Sequence, residues 1–227
     1  MKQAVQFFVL GTAWVAMVSA CSPQPAAVVT ASSSMAAAGA PPADTGPAAS
    51  VPGTQAGDGF AEPAPGIAVR AVPGTHVEHD FKRSYLTLDA WKLYPAAGSI
   101  GTPLIAVVMD GSNDVTSAEM RIGRSDTAAD IAACLVAPDE ATDPSDTAEI
   151  GGVRFTHFTA SDAAMSHYVS AESYRAVHNG ACYAIDLIVA GTRPDVYDPP
   201  RTPPFTNDVA KQRLATALAA VHWVAKG

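Results

Sequence analysis

The sequence predicts an α+β domain, a mainly antiparallel sheet packed by helices, preceded by a disordered stalk. Three observations carry that expectation. Residues 67–227 hold strand-like runs in succession, with one helical pattern in the middle and another at the end, the order expected when helices pack on a sheet of hairpins. Asn179-Gly180 lies between two such runs and marks a two-residue hairpin turn. Residues 22–66, by contrast, contain eight prolines, one Phe and no Leu, Ile, Trp or Tyr, too little apolar surface to offset the entropy of ordering.

The chain begins with Met1-Lys2 and continues through an apolar stretch, Phe7 to Val18, that ends in small residues. A short positive region, an apolar core and small residues before a cut make residues 1–20 an expected export signal. Val18-Ser19-Ala20-Cys21 resembles the bacterial lipoprotein signal, in which small residues precede a cysteine that becomes the new N-terminus. That resemblance implies a diacylglycerol thioether and an acylated amino group on Cys21, several chains at about 0.8 kcal/mol per buried methylene. Ser22 stands where an inner-membrane retention signal would carry Asp. By the same resemblance, to Gram-negative sorting, the expected place is the outer membrane, with the domain in the periplasm or at the cell surface.

Residues 21–66 then read as a lipidated Cys and a Pro/Ala-rich linker, and residues 67–227 as the globular domain. The first part of that domain, His76 to Tyr94, holds Phe81, Tyr85, Leu86, Leu88, Trp91 and Leu93 and reads as strand-rich. Pro103–Met109 is a short apolar run, as in a strand covered on both faces. In Thr116–Arg124, Ala118, Met120 and Ile122 alternate with Glu119, Arg121 and Gly123, which predicts a half-buried strand. Ser125 is the expected cap of a helix from Asp126 to about Val136, with Ile131, Cys134 and Leu135 on one stripe. Pro138–Glu149 reads as an acidic loop, and Val153–Thr159 alternates as a strand.

The Asn179-Gly180 turn fixes a register. His178 faces Ala181, Val177 faces Cys182, Tyr174 faces Ile185 and Ser173 faces Asp186. Arg175 is then diagonal to Asp186 on one face, a candidate ion pair that lets a covered sheet surface hold charge. A proline-rich loop from Pro194 to Pro204 leads to a terminal helix capped by Thr206 or Asn207. Its expected apolar stripe is Val209 or Ala210, Leu214, Ala217, Leu218, Val221 and Val224.

The composition narrows the function classes. Among 227 residues, 14 Lys+Arg face 22 Asp+Glu, a formal charge of −8, with a pI near 5.1. Loss of residues 1–20 removes Lys2 and takes the charge to −9. An acidic domain is a poor partner for nucleic acid, and anionic headgroups repel it, so attachment to a membrane falls to the lipid. With Cys21 assigned to lipid, Cys134 and Cys182 remain, an expected disulfide in an exported protein. Closing that loop is worth roughly 3–4 kcal/mol in the chain-entropy treatment.

Catalytic signatures are sparse. The sequence has no GxSxG elbow, P-loop, HExxH, GxGxxG or EF-hand loop, and no CxxC; no cofactor is expected. Gly98-Ser99-Ile100-Gly101 reads as a turn. His76-Val-Glu78-His79-Asp80 is the densest ligand-like cluster, able to hold a metal only with help from His157 or His167, and a solvated strand entrance is the favoured reading. The acidic run Asp139, Glu140, Asp143, Asp146 and Glu149 lacks the spacing of a calcium loop. One segment is a candidate binding loop: Tyr197, Arg201 and Phe205, set among prolines that reduce the entropy lost on holding a shape. Packing of Phe205 into the core is the simpler alternative.

The runs Ile150–Phe155, Asp162–His167, Glu172–Arg175, Asn179–Tyr183 and Tyr197–Pro200 resemble a group of uncharacterised proteobacterial lipoproteins. More distantly, the order of strands and terminal helix is similar to the PsbP/Mog1-like α/β/α sandwich. The nearer resemblance implies an exported domain with a cysteine pair and no established activity. The expectation is a non-enzymatic binding or assembly module of the cell envelope, its partner an envelope protein or glycan. The rival is a small periplasmic hydrolase or metal-dependent enzyme that gathers His76, His157 and His167 with a carboxylate.

Overall fold

A computed structural model of the chain describes residues 60–62, 66–81, 90–143 and 145–224, all within one unit, Val51–Gly227. The expected signal, Cys21, most of the linker and the middle of the aromatic run (82–89) lie outside the described residues. Seven strands form the main sheet: β3 (Thr75–Glu78), β4 (Thr102–Met109), β5 (Ser117–Ser125), β6 (Asp146–Ile150), β7 (Val153–Ala164), β8 (His167–His178) and β9 (Ala181–Thr192). Their order is β3-β4-β5-β9-β8-β7-β6, and every pairing is antiparallel. A smaller sheet joins β1 (Phe60–Glu62), β2 (Ile67–Val69) and β10 (Val221–Trp223) in the order β1-β2-β10. Two helices are present among the described residues, α1 (Ala128–Ala132) and α2 (Asn207–Ala219), with a 3-10 turn at Pro194–Val196. The architecture is α+β with a mainly antiparallel sheet. No helix among the described residues is long and apolar enough to cross a membrane.

The β8–β9 hairpin has the register read from its turn. His178 pairs with Ala181, Val177 with Cys182, Tyr174 with Ile185 and Ser173 with Asp186. Asn179 and Gly180 both take positive φ, 49° and 75°, as a type I′ turn requires. Every residue of β9 is buried, because both faces of the sheet are covered at its centre.

One face packs against α2 and the small sheet. Thr206 caps α2, its hydroxyl accepting from the Val209 N–H, and Ala210, Leu214 and Ala217 are the buried stripe. They meet Ile105, Met120, Ile122 and Ile185 from the main sheet and Ile67, Val69 and Val221 from the small one. Val221 lies on this core as part of β10, not as a further helical turn. The helix stops at Ala219 because the chain turns to pair with β2, Val221 opposite Val69. The expected linker also shortens: Phe60–Glu62 pairs with β2, so ordered pairing starts inside residues 21–66.

The other face departs further from expectation. Glu119 and Arg121 are not solvent-facing; both are buried, as is Gly123. Phe81, Trp91 and Leu93, from a distant stretch of chain, cover that surface. The charges are retained as a pair, Arg121 donating to Glu119 at 2.7 Å, with the guanidinium against the Phe81 ring. The middle helix is also much shorter than Asp126–Val136. Ser125 ends β5, Thr127 is the cap, and α1 spans five residues. Leu135 is half exposed instead of lying on a buried stripe. The acidic segment is not wholly a loop either, since Asp146–Ile150 pairs with β7 as the sheet edge.

Candidate functional site

Covering the second face creates a hollow between two stretches of chain. Chain segment 92–96 forms one wall, segment 133–140 the other, and Phe158 and Arg175 the floor. The volume is about 300 Å³, near the lower end of ligand-binding pockets.

The floor is set by β8 and β9. Arg175 Nη1 donates to Asp186 Oδ1 at 2.8 Å, and the two side chains are 3% and 1% exposed. Ser173 also donates to Asp186, at 2.6 Å. Leu93 completes the arrangement with its backbone: its N–H donates to Asp186 Oδ2 and its carbonyl accepts from Arg175 Nη2. A buried ion pair needs such extra hydrogen bonds to offset the loss of hydration. Arg175 also lies over the Phe158 ring. The candidate ion pair is therefore the floor of the cleft and the anchor of its 92–96 wall.

The walls are tied down by two further devices. Cys134 and Cys182 are at disulfide-bonding distance, 2.07 Å, with Cα atoms 5.6 Å apart, which clips the 133–140 wall to β9. Asp130 in α1 gathers donors from Ser99, Ser125, Thr127 and the Ile100 N–H. Burial alone would raise its pKa, but these hydrogen bonds outweigh it and bring the carboxyl to about 2. Trp91 N–H donates to Ser99, so the turn at residues 98–101 and the first wall share one network.

Lys92 lies in that wall with its side chain 9% exposed. Its nearest carboxylate, Asp130, is 4.0 Å away, beyond hydrogen-bond reach. Burial lowers its pKa and Arg175 adds to that, while Asp130 and Asp186 oppose the change. At the rim Asp139 and Glu140 are exposed.

The remaining candidates do not converge. In the proline-rich loop, the Arg201 guanidinium sits 4.7 Å from the Tyr197 ring, but Phe205 packs on the main core. His76 is on the β3 edge, its Nδ1 donating to Asp110 at 2.7 Å and its Nε2 3.5 Å from Glu78. His157, on β7, lies five strands away in the sheet, roughly 24 Å at about 4.8 Å per strand. His167 bonds Thr192 at 2.9 Å, and His178 packs on Trp223. No group of three or more His, Cys, Asp or Glu among the described residues is arranged to hold a metal.

His157 has its own surroundings. It stacks on Tyr174 with ring centroids 4.6 Å apart, and Tyr174 donates to Glu172 at 3.0 Å. Burial pushes the Tyr174 phenol above its ordinary range, helped by Glu172. Neither Lys92 nor this trio was singled out by sequence reasoning, because neither has a spacing signature; each is assembled by packing or cross-strand pairing.

The chain matches no protein-family model and no curated protein.

Proposed function

We propose that the protein is a lipid-anchored envelope protein whose α+β domain is a binding or assembly module, not a catalyst. Cys21 supplies attachment, the linker supplies reach, and the cleft between segments 92–96 and 133–140 supplies recognition. The outer membrane is the proposed site, and an envelope protein or glycan the proposed partner. Kinship with the proteobacterial lipoprotein group, and more remotely with the PsbP/Mog1-like sandwich, belongs to the same reading. Coverage of the main sheet on both faces, by α2 on one side and α1 with its neighbouring loops on the other, supports the sandwich comparison.

The observation that carries the reading is the construction of the cleft. Its walls are fixed by a cysteine pair, a buried ion pair and a five-membered hydrogen-bond network around Asp130, the preorganisation that lowers the cost of binding. The histidines that an enzyme would gather instead stand on separate strands.

Intact protein expressed in a Gram-negative host tests this directly. Mass spectrometry of the mature chain is expected to find acylation on Cys21, lost in Cys21→Ser. A photoreactive amino acid at Val136, on the cleft wall, is expected to capture a discrete envelope component in cells. An unacylated mature chain, or a chain that turns over a substrate with dependence on His157, overturns the proposal.

A further inference from the structure

We infer that the cleft takes a small zwitterion, an apolar amino acid or dipeptide, with its carboxylate on Lys92 and its ammonium against Asp139 and Glu140. This rests on the reading of the cleft as the binding site and adds the chemistry of its occupant.

The inner end is the stronger constraint. The Lys92 side chain is nine-tenths buried and its carboxylate neighbour is too far for a hydrogen bond. The ammonium sits over the Trp91 ring with no hydrogen-bond acceptor among the described residues, so an incoming carboxylate gains a charge-assisted bond that the free protein lacks. Arg175 lines the same floor. Its Nη1 and Nη2 are engaged by Asp186, Tyr174 and Leu93, so it contributes positive field more than a donor.

The rim has the opposite sign. Asp139 and Glu140 border the opening, and neither has a salt-bridge partner among the described residues. A plain anion entering between them is repelled, whereas a ligand that carries an ammonium on its outer end is not. Leu93, Val136 and Phe158 also line the cleft, which suits an apolar side chain. A volume of about 300 Å³ has room for one or two residues.

The test uses the intact protein in lipid nanodiscs with radiolabelled alanyl-valine, and empty discs as control. Saturable binding is expected. N-acetyl-alanyl-valine, which lacks the ammonium, and alanyl-valinamide, which lacks the carboxylate, are each expected to compete about tenfold or more weakly. Lys92→Met is expected to weaken alanyl-valine binding to a similar extent. Because Lys92 is buried and its loss could disturb the fold, the exposed pair Asp139→Asn/Glu140→Gln provides a second arm. That variant is expected to bind alanyl-valine less well while treating the N-acetyl compound at least as well as the wild type does.

No saturable binding overturns the inference, as does equal affinity for the zwitterion and its N-acetyl derivative. If the Val136 photocrosslink captures an envelope component while no zwitterion binds, the inference falls and the proposed function stands. If neither is seen, both fall.

Discussion

Arg175 and Asp186 face each other diagonally across β8 and β9 at 2.8 Å, and the backbone of Leu93 bonds to both. A segment some eighty residues earlier in the chain is thereby held on the sheet by a charge pair rather than by regular strand pairing. The pair's role is positional: it sets where the 92–96 wall lies.

Removing one partner is expected to be severe. Asp186→Ala leaves a buried guanidinium, and the Leu93 N–H, without their acceptor, a loss of about 3–5 kcal/mol in urea unfolding. The double change Arg175→Met/Asp186→Leu is expected to recover part of that, since no buried charge remains. Recovery stays incomplete because Leu93 still lacks its partners. A double variant as unstable as Asp186→Ala would refute this account of the floor.

The cysteine pair closes a loop with a sequence separation of 48. Cys134→Ser/Cys182→Ser is expected to lower stability by about 3–4 kcal/mol through the greater freedom of the unfolded chain. The same variant is expected to loosen segment 133–140 first, seen as faster amide exchange there than in β8 or α2. Uniform acceleration across the domain would show instead that the bridge supports the whole core.

The features legible in the sequence were those written in local chemistry. Asn179-Gly180 announced its turn and register because few other residues accept positive φ at both positions. The β7–β8 turn was not legible, and the strand was expected to end at Thr159. Met165 and Ser166 take φ of 49° and 73°, residues that carry no turn signal, so β7 runs on to Ala164. Glu119 and Arg121 alternate like a solvent face but are buried, with Phe81, arriving from far away in the chain, against the Arg121 guanidinium. The expected stripe Ile131, Cys134 and Leu135 does not form: α1 ends at Ala132, Cys134 is buried beyond it beside Cys182, and Leu135 is half exposed. The cleft leaves no local signal for the same reason: Lys92, Glu140 and Arg175 are brought together only by tertiary packing.

Asp130 gives the fold an acid dependence whose direction follows from its partners. Its carboxyl titrates at about 2 in the folded protein, against an ordinary value near 3.9 in the unfolded chain. A depressed folded pKa contributes stability above the unfolded value, and that contribution is lost as pH falls from about 4 towards 2. The shift corresponds to about 2–3 kcal/mol at neutral pH. Asp130→Asn is therefore expected to be less stable than wild type at pH 7, with the gap shrinking below pH 4. Urea titrations across that range check it; a gap that stays constant to pH 2 would mean the carboxylate's charge is not what its donors stabilise.

Trp91 makes the most exacting demand on the sequence, because it lies against backbone where a side chain has no room. A Cβ built on Gly123 would come within 1.8 Å of the Trp91 carbonyl oxygen, and one on Gly101 within 2.3 Å of its ring. Neither glycine has positive φ, so close approach, not backbone conformation, explains them. The Gly123 clash is with main chain and cannot be relieved by a rotamer change. Gly123→Ala must lift the Trp91 segment off β5, and with it the Trp91–Ser99 hydrogen bond and the seat of Lys92. The expected cost is about 3 kcal/mol, with a red shift of tryptophan emission as the ring meets water. Restoring space from the other side, with Trp91→Phe in the same chain, should not rescue it, because the obstructing atom belongs to the backbone. Rescue by Trp91→Phe would place the conflict at the ring and reverse that assignment.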